Sequence, residues 1–93
     1  MEKHSDLNSL YEAILSIDSK EICESFFEDI CTIKELETMA QRLEVAKLLM
    51  SGATFNEVVA KTGASTATIS RVNRSLNYGN DGYDLVFARI DNK

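Results

Sequence analysis

Apolar residues recur at three- and four-residue spacing along almost the whole chain and nowhere alternate with polar ones, which predicts helices and no strands. Leu7, Leu10, Tyr11, Ile14 and Leu15 mark a first helix over about residues 7–17, with Asp6 placed to cap it. Asp18 followed by Glu21 opens a second helix to about residue 31, whose apolar side is Ile22, Cys23, Phe26, Phe27 and Ile30. Thr32 and Glu35 form a capping box, in which hydroxyl and carboxylate each take a backbone N–H of the other. A third helix, 33–51, follows with Leu36, Met39, Ala40, Leu43, Ala46, Leu49 and Met50 as its stripe, and Gly52 ends it.

The shorter segments carry more information. Thr54 and Glu57 form a second capping box, which starts a helix through Lys61. Thr62-Gly63-Ala64 turns the chain, and Ser65 caps a fifth helix over 66–76. Residues 77–82 read as a loop, and Asp81 as the cap of a last segment, 83–90, with Leu85, Val86 and Ile90 available for burial. Two short helices joined by a glycine turn make a helix-turn-helix. Phe55, Val58 and Val59 are expected to bury one face of its first helix, with Ala60 small enough for a close crossing. Ile69, Val72 and Leu76 line the underside of the second, and Thr66, Ala67, Ser70, Arg71 and Arg74 are left on its outer face. A major groove about 12 Å wide admits such a helix, with short side chains near base edges and longer cations reaching phosphates. Its positive N-terminus suits a phosphate neighbour.

Charge sharpens this picture. The chain of 93 residues carries a formal net charge of −5, which argues against a nucleic-acid partner until the distribution is considered. Residues 58–80 contain no acid, while Lys61, Arg71 and Arg74 make that stretch positive within an otherwise acidic body. An idle surface helix in so acidic a chain would ordinarily hold an Asp or Glu. The plainer alternatives are a helical corner that only packs, and a solvated surface arginine at Arg74.

Length and composition exclude other classes. A chain of this size buries roughly 64% of its unfolded surface, enough for one modest core or half of a shared one. No apolar run approaches the roughly 18 residues of a membrane span, and the opening MEKHSDLNSL has no apolar region of the signal-peptide kind, so the expected location is cytoplasmic. Cys23 and Cys31, eight apart on one helix, would lie about 12 Å apart along its axis, too far for a disulfide. With one histidine, His4, and no CxxC, neither a metal site nor another cofactor is expected. No Ser–His–Asp or Cys–His set and no phosphate-cradling glycine loop is present, so no catalytic residue is assigned.

The stretch Gly63-Ala-Ser-Thr-Ala-Thr-Ile-Ser-Arg71, continued by Asn73-Arg-Ser-Leu76, resembles the reading head of the bacterial Trp repressor. The long helix opened by Thr32, bearing Arg42 and ending Leu48-Leu-Met-Ser-Gly52, resembles that family's preceding helix. The likeness covers roughly residues 7–90 and points to the Trp repressor-related YerC/YecD group. It implies one all-α domain over 1–93: dimerisation helices over 7–53, a helix-turn-helix over 54–76 and a C-terminal helix over 83–90. It also implies an intertwined homodimer whose two heads read half-sites of double-stranded DNA about one helical turn apart, as in helix-turn-helix dimers generally, Trp repressor included. The apolar stripes, Phe26 and Phe27 among them, independently favour a dimer, being hard to bury in one small chain.

By resemblance, Thr66, Ala67 and Ser70 approach base edges and Asn56 adds a contact from the preceding helix; Ser65 and Arg71 are assigned to the same DNA-binding face. Lys61 is a phosphate candidate from its charge alone, and Arg74 a further one. The resemblance also implies a ligand pocket at Thr32 (from the other subunit), Arg42, Arg71 and Ser75. The plainer alternative for Arg42 is an ion pair with an acid of the body. Val72 and Ser65 stand where the family has glycines, and Val72 would fill space that the indole of tryptophan needs. The departure argues against tryptophan, leaving a head held without it or one answering to a different small ligand. The rival to the DNA reading is a helical dimeric protein-interaction module whose corner is only structural.

Overall fold

Local sequence signals set most of the helix boundaries. A computed structural model describes residues 3–92, with no side-chain placement for 3–5, so the side chain of His4 lies outside the described residues. Six helices follow in order: α1 Lys3–Leu15, α2 Lys20–Ile30, α3 Ile33–Met50, α4 Phe55–Thr62, α5 Thr66–Tyr78 and α6 Gly82–Asp91. No strand occurs among the described residues. Contacts divide the chain after Leu36 into two units, so the first turn of α3 belongs to one and the rest of the helix to the other.

In the first unit, α1 already runs from Lys3, so Asp6 is not its cap but an anion in the first turn, where the helix dipole favours it. The chain leaves α1 through bonds from the Ser16 N–H to the Glu12 and Ala13 carbonyls, 3.1 and 3.2 Å. Ser19, not Asp18, caps α2: its backbone is extended and its Oγ accepts from the Ile22 N–H at 3.1 Å. The position directly preceding the helix has the reach that a residue one step earlier lacks. The Thr32–Glu35 box forms as expected, with the Thr32 N–H donating to Glu35 Oε1 at 2.8 Å and the Glu35 N–H to Thr32 Oγ1 at 3.0 Å. Phe26 and Phe27 meet edge to face at 5.3 Å. Cys23 and Cys31 are free, half-buried thiols.

The second unit holds every fully buried hydrophobe among the described residues: Val45, Ala46, Val58, Ala64, Ile69 and Val72. Burying a side chain the size of Val or Ile contributes about 1.5–3 kcal/mol. Leu48, Leu49, Ala53, Leu76, Tyr83 and Phe87 pack around this core, the two rings stacked at 6.3 Å. The stripe expected for α3 is only partly the buried one. Val45, outside that stripe, is fully enclosed, whereas Met39, Leu43 and Met50 stay exposed. This helix is apolar on two sides, and only one of them meets the core. Gly52 ends α3 at a φ of +96°.

At the other end, α5 runs two residues past the expected stop, and the loop shrinks to Gly79, Asn80 and Asp81. The helix halts at Gly79, where an added Cβ would collide with the Ser75 carbonyl oxygen. Asp81 precedes α6 but caps it only with its backbone: its φ of 63° is left-handed, and its side chain makes no capping bond. Side-chain capping normally uses an extended residue, which Asp81 is not. Leu85, Val86 and Ile90 remain exposed, while Tyr83 and Phe87 supply the face of α6 that packs.

Candidate nucleic-acid interface

The second unit assembles a helix-turn-helix from interactions local in sequence. Thr54 and Glu57 close the reciprocal box that starts α4: the Thr54 N–H donates to Glu57 Oε1 at 2.8 Å, and the Glu57 N–H to Thr54 Oγ1 at 3.2 Å. Those Thr54 groups, the backbone N–H foremost, hold the Glu57 carboxyl below its ordinary pKa, and the charge of Lys61 adds to the effect. Gly63 stops α4 in the left-handed conformation, φ 70°, and its N–H donates to the Val59 carbonyl at 2.9 Å. The Thr62 hydroxyl donates to the Val58 carbonyl at 2.7 Å and accepts from the Ala64 N–H at 3.1 Å, fixing both sides of the turn. Gln41, which sequence reasoning passed over, ties α3 to this corner by donating from Nε2 to the Thr62 carbonyl at 3.3 Å.

Ser65 then caps α5, its Oγ accepting from the Thr68 N–H and donating to Thr68 Oγ1, both at 3.1 Å. Its hydroxyl is thus committed to the helix start. Ile69 and Val72 are sealed beneath the helix and Leu76 is half-buried. In α4 only Val58 is fully enclosed. Phe55 and Val59, expected to be buried, are 39% and 37% exposed, and Ala60 is exposed as well. An eight-residue helix presents barely two turns to its neighbour, and the small residue enclosed at this corner is Ala64 rather than Ala60.

The outer face of α5 is what this packing leaves. Thr66, Ala67, Ser70, Arg71 and Arg74 are all exposed, and a shallow groove is lined by Ala67, Ser70, Arg71 and Arg74. Among the described residues neither arginine has an ion pair or a hydrogen bond. Lys61 and Asn56 are exposed on α4, Lys61 one turn beyond Glu57. Two cations on one helix face, without protein partners, beside hydroxyls and a methyl, can meet an anionic backbone and the edges of bases.

Of the residues implied as a ligand pocket, Thr32 is the one implied from the other subunit. Thr32 belongs to the first unit, and Arg42, Arg71 and Ser75 to the second. Arg71 lines the outer groove, whereas Ser75 lines a different hollow with Leu43, Gly79, Asn80, Gly82, Tyr83 and Val86. Arg42 is half-buried, and no ion pair holds it among the described residues. Its Nε is closed off from solvent with no acceptor. Val72, 1% exposed, fills the underside of α5.

The model of the Trp repressor protein family matches residues 5–91. The chain belongs to the Trp repressor family. It is 52% identical over 85 residues to the uncharacterized protein YerC of Bacillus subtilis (strain 168), covering 91% of this chain and 82% of that protein. The crystal structure of a TrpR like protein from Eubacterium eligens ATCC 27750 superposes with a TM-score of 0.91 at 55% identity, over 96% of this chain and 92% of that one. A Trp repressor-like crystal structure from Staphylococcus aureus gives 0.90 at 45% identity, over 94% of this chain and 87% of that one. The fold is therefore that of the Trp repressor family, a family of DNA-binding regulators. Among the described residues no helix is long and apolar enough to cross a membrane.

Proposed function

We propose that this member of the Trp repressor family is a sequence-specific DNA-binding transcriptional repressor, acting in the cytoplasm as an intertwined homodimer on a near-palindromic operator. One observation carries the reading: the exposed face of α5, where Arg71 and Arg74 stand unpaired beside Thr66, Ala67 and Ser70 in a stretch without acids. Thr66 and Ser70 hydrogen-bond base edges, directly or through water, because their side chains are short. Ala67 offers its methyl, Arg71 and Arg74 grip phosphates, and Asn56 and Lys61 extend the contact from α4. Ser65 acts through the helix start that it caps, where free N–H groups favour a phosphate. No catalytic residue has a place in this scheme.

The dimer follows from bare apolar surface. Leu15 and Ile33 are 83% and 71% exposed, and Ile22 and Ile30 each more than half. A second copy covering the helices of residues 7–53 gives those side chains a dry neighbour, and two heads then share one operator. The domain accordingly divides into dimerisation helices, the helix-turn-helix over 54–76 and a C-terminal helix.

Regulation by tryptophan is not part of this reading. Val72 is packed with Val45, Ala46 and Ile69, so the underside of α5 is already filled with protein. The head is therefore held without tryptophan, and Thr32, Arg42, Arg71 and Ser75 serve a different small ligand or none. Calorimetric titration with tryptophan should give no heat at micromolar concentration; a clear isotherm would overturn the pre-filled head.

The DNA reading is tested by selecting an operator from random duplexes and measuring affinity against salt. Binding should weaken steeply as salt rises, and Arg71→Ala with Arg74→Ala should reduce the slope by about two, one for each phosphate no longer neutralised. Binding to duplex that ignores both salt and the double substitution would favour the protein-interaction module instead.

A further inference from the structure

Tyr78 is 85% exposed, although Tyr83 and Phe87, a short way along the chain, pack against the core. It is the last residue of α5, held in the helix because the break falls at Gly79. Ala67, Arg71, Arg74 and Tyr78 follow one another at intervals of four, three and four, so they form one stripe along the helix. The phenol therefore continues the row of the two unpaired arginines, on the side of α5 opposite buried Ile69 and Val72.

We propose that Tyr78 is a phosphate-contacting residue of the same interface, its hydroxyl donating to a phosphate oxygen at the rim of the major groove. The inference rests on the DNA reading above. Eleven residues of helix place Tyr78 about 16 Å from Ala67 along the axis. That distance exceeds the groove's depth of about 8.5 Å and its width of about 12 Å. With the N-terminal turn of α5 at the base edges, the other end of the stripe reaches sugar and phosphate rather than bases. A phenol suits that position: the ring is rigid, and its O–H makes a charge-assisted bond to an anionic oxygen. Tyr78 is uncharged, so its contact displaces no counterion and leaves a signature different from that of an arginine.

The test measures affinity of the protein for a selected operator duplex over a series of salt concentrations. Wild type, Tyr78→Phe, Tyr78→Ala and the Arg71→Ala, Arg74→Ala double variant are compared. Tyr78→Phe should bind about tenfold more weakly at every salt concentration with the slope unchanged, and Tyr78→Ala at least as weakly. The arginine variant should flatten the slope. Wild-type affinity in both tyrosine variants, with the arginine variant impaired, would overturn the proposal and leave the DNA reading standing. A loss of the dimer in sedimentation on Tyr78→Phe would also overturn it, reassigning the hydroxyl to a contact between copies. Absence of salt-dependent binding in every protein, wild type included, would remove the DNA reading and this contact together.

Discussion

The N-terminal helices and the helix-turn-helix both carry apolar side chains at helical spacing, yet they bury them to very different degrees. Between Val45 and Val72 six residues are enclosed, around a corner whose helix ends are capped by Thr54, Gly63 and Ser65. Residues 6–36 enclose none, and leave Leu15, Ile22, Ile30 and Ile33 largely in the open. The helix-turn-helix is therefore shaped by contacts within one chain. The N-terminal helices have the composition of a core but lack the other half of it, as expected of a segment whose partner is a second copy. The bare side of α3, with Met39, Leu43 and Met50, belongs with them in this respect.

The contrast can be broken first at its strong side. Ile69→Ala removes a fully buried side chain and should destabilise the head by about 2–5 kcal/mol, read as a lower midpoint in denaturant melting. A loss below about 0.5 kcal/mol would mean that the core is not where the fold is held. On the other side, Ile33→Asp places a charge on a side chain already exposed in the single chain. It should leave the helix content of one chain intact and convert the dimer to monomer in sedimentation at micromolar concentration; an unchanged dimer would show that this surface is not the one covered. Gly63→Ala tests the corner itself: with φ at 70°, an L side chain is strained even in open space, and about 1–2 kcal/mol should be lost.

The smallest effect is expected at Glu57. Its carboxyl is held below the ordinary value by hydrogen bonds from Thr54, so the bound form is the ionised one. The stabilisation it gives α4 is complete above the carboxyl's unfolded pKa and is lost as pH falls through the lowered folded value. Glu57→Gln should therefore be less stable than wild type at neutral pH, with the two converging under acid. A constant difference across the titration would show that the cap works without the charge.

Much of the head was legible in the sequence because its signals are local. The box that opens α4, like the one that opens α3 outside the head, the Gly63 turn and the Ser65 cap depend on residues no more than four positions apart, and each forms where the pattern indicated. The unpaired arginines were legible for a different reason, the absence of acids over 58–80. What escaped depended on tertiary partners. A helix apolar on two sides does not reveal which one its own chain will cover, so the stripe through Met39, Leu43 and Met50 stays open while Val45, outside it, is enclosed. Phe55 and Val59 met the same limit. The end of α5 lies beyond the expected stop because the run from Asn77 has the residues of a turn, whereas the break falls at Gly79. Tyr78 therefore belongs to the outer face of α5 rather than to a loop.

The most direct measurement of the central claim is backbone amide shift mapping of the protein against a duplex enriched from a random pool. The account predicts the largest shifts over residues 66–74, with smaller ones at Asn56 and Lys61 and little change in the N-terminal helices. Saturable binding that leaves 66–74 unmoved, with shifts only among residues 6–36, would contradict it.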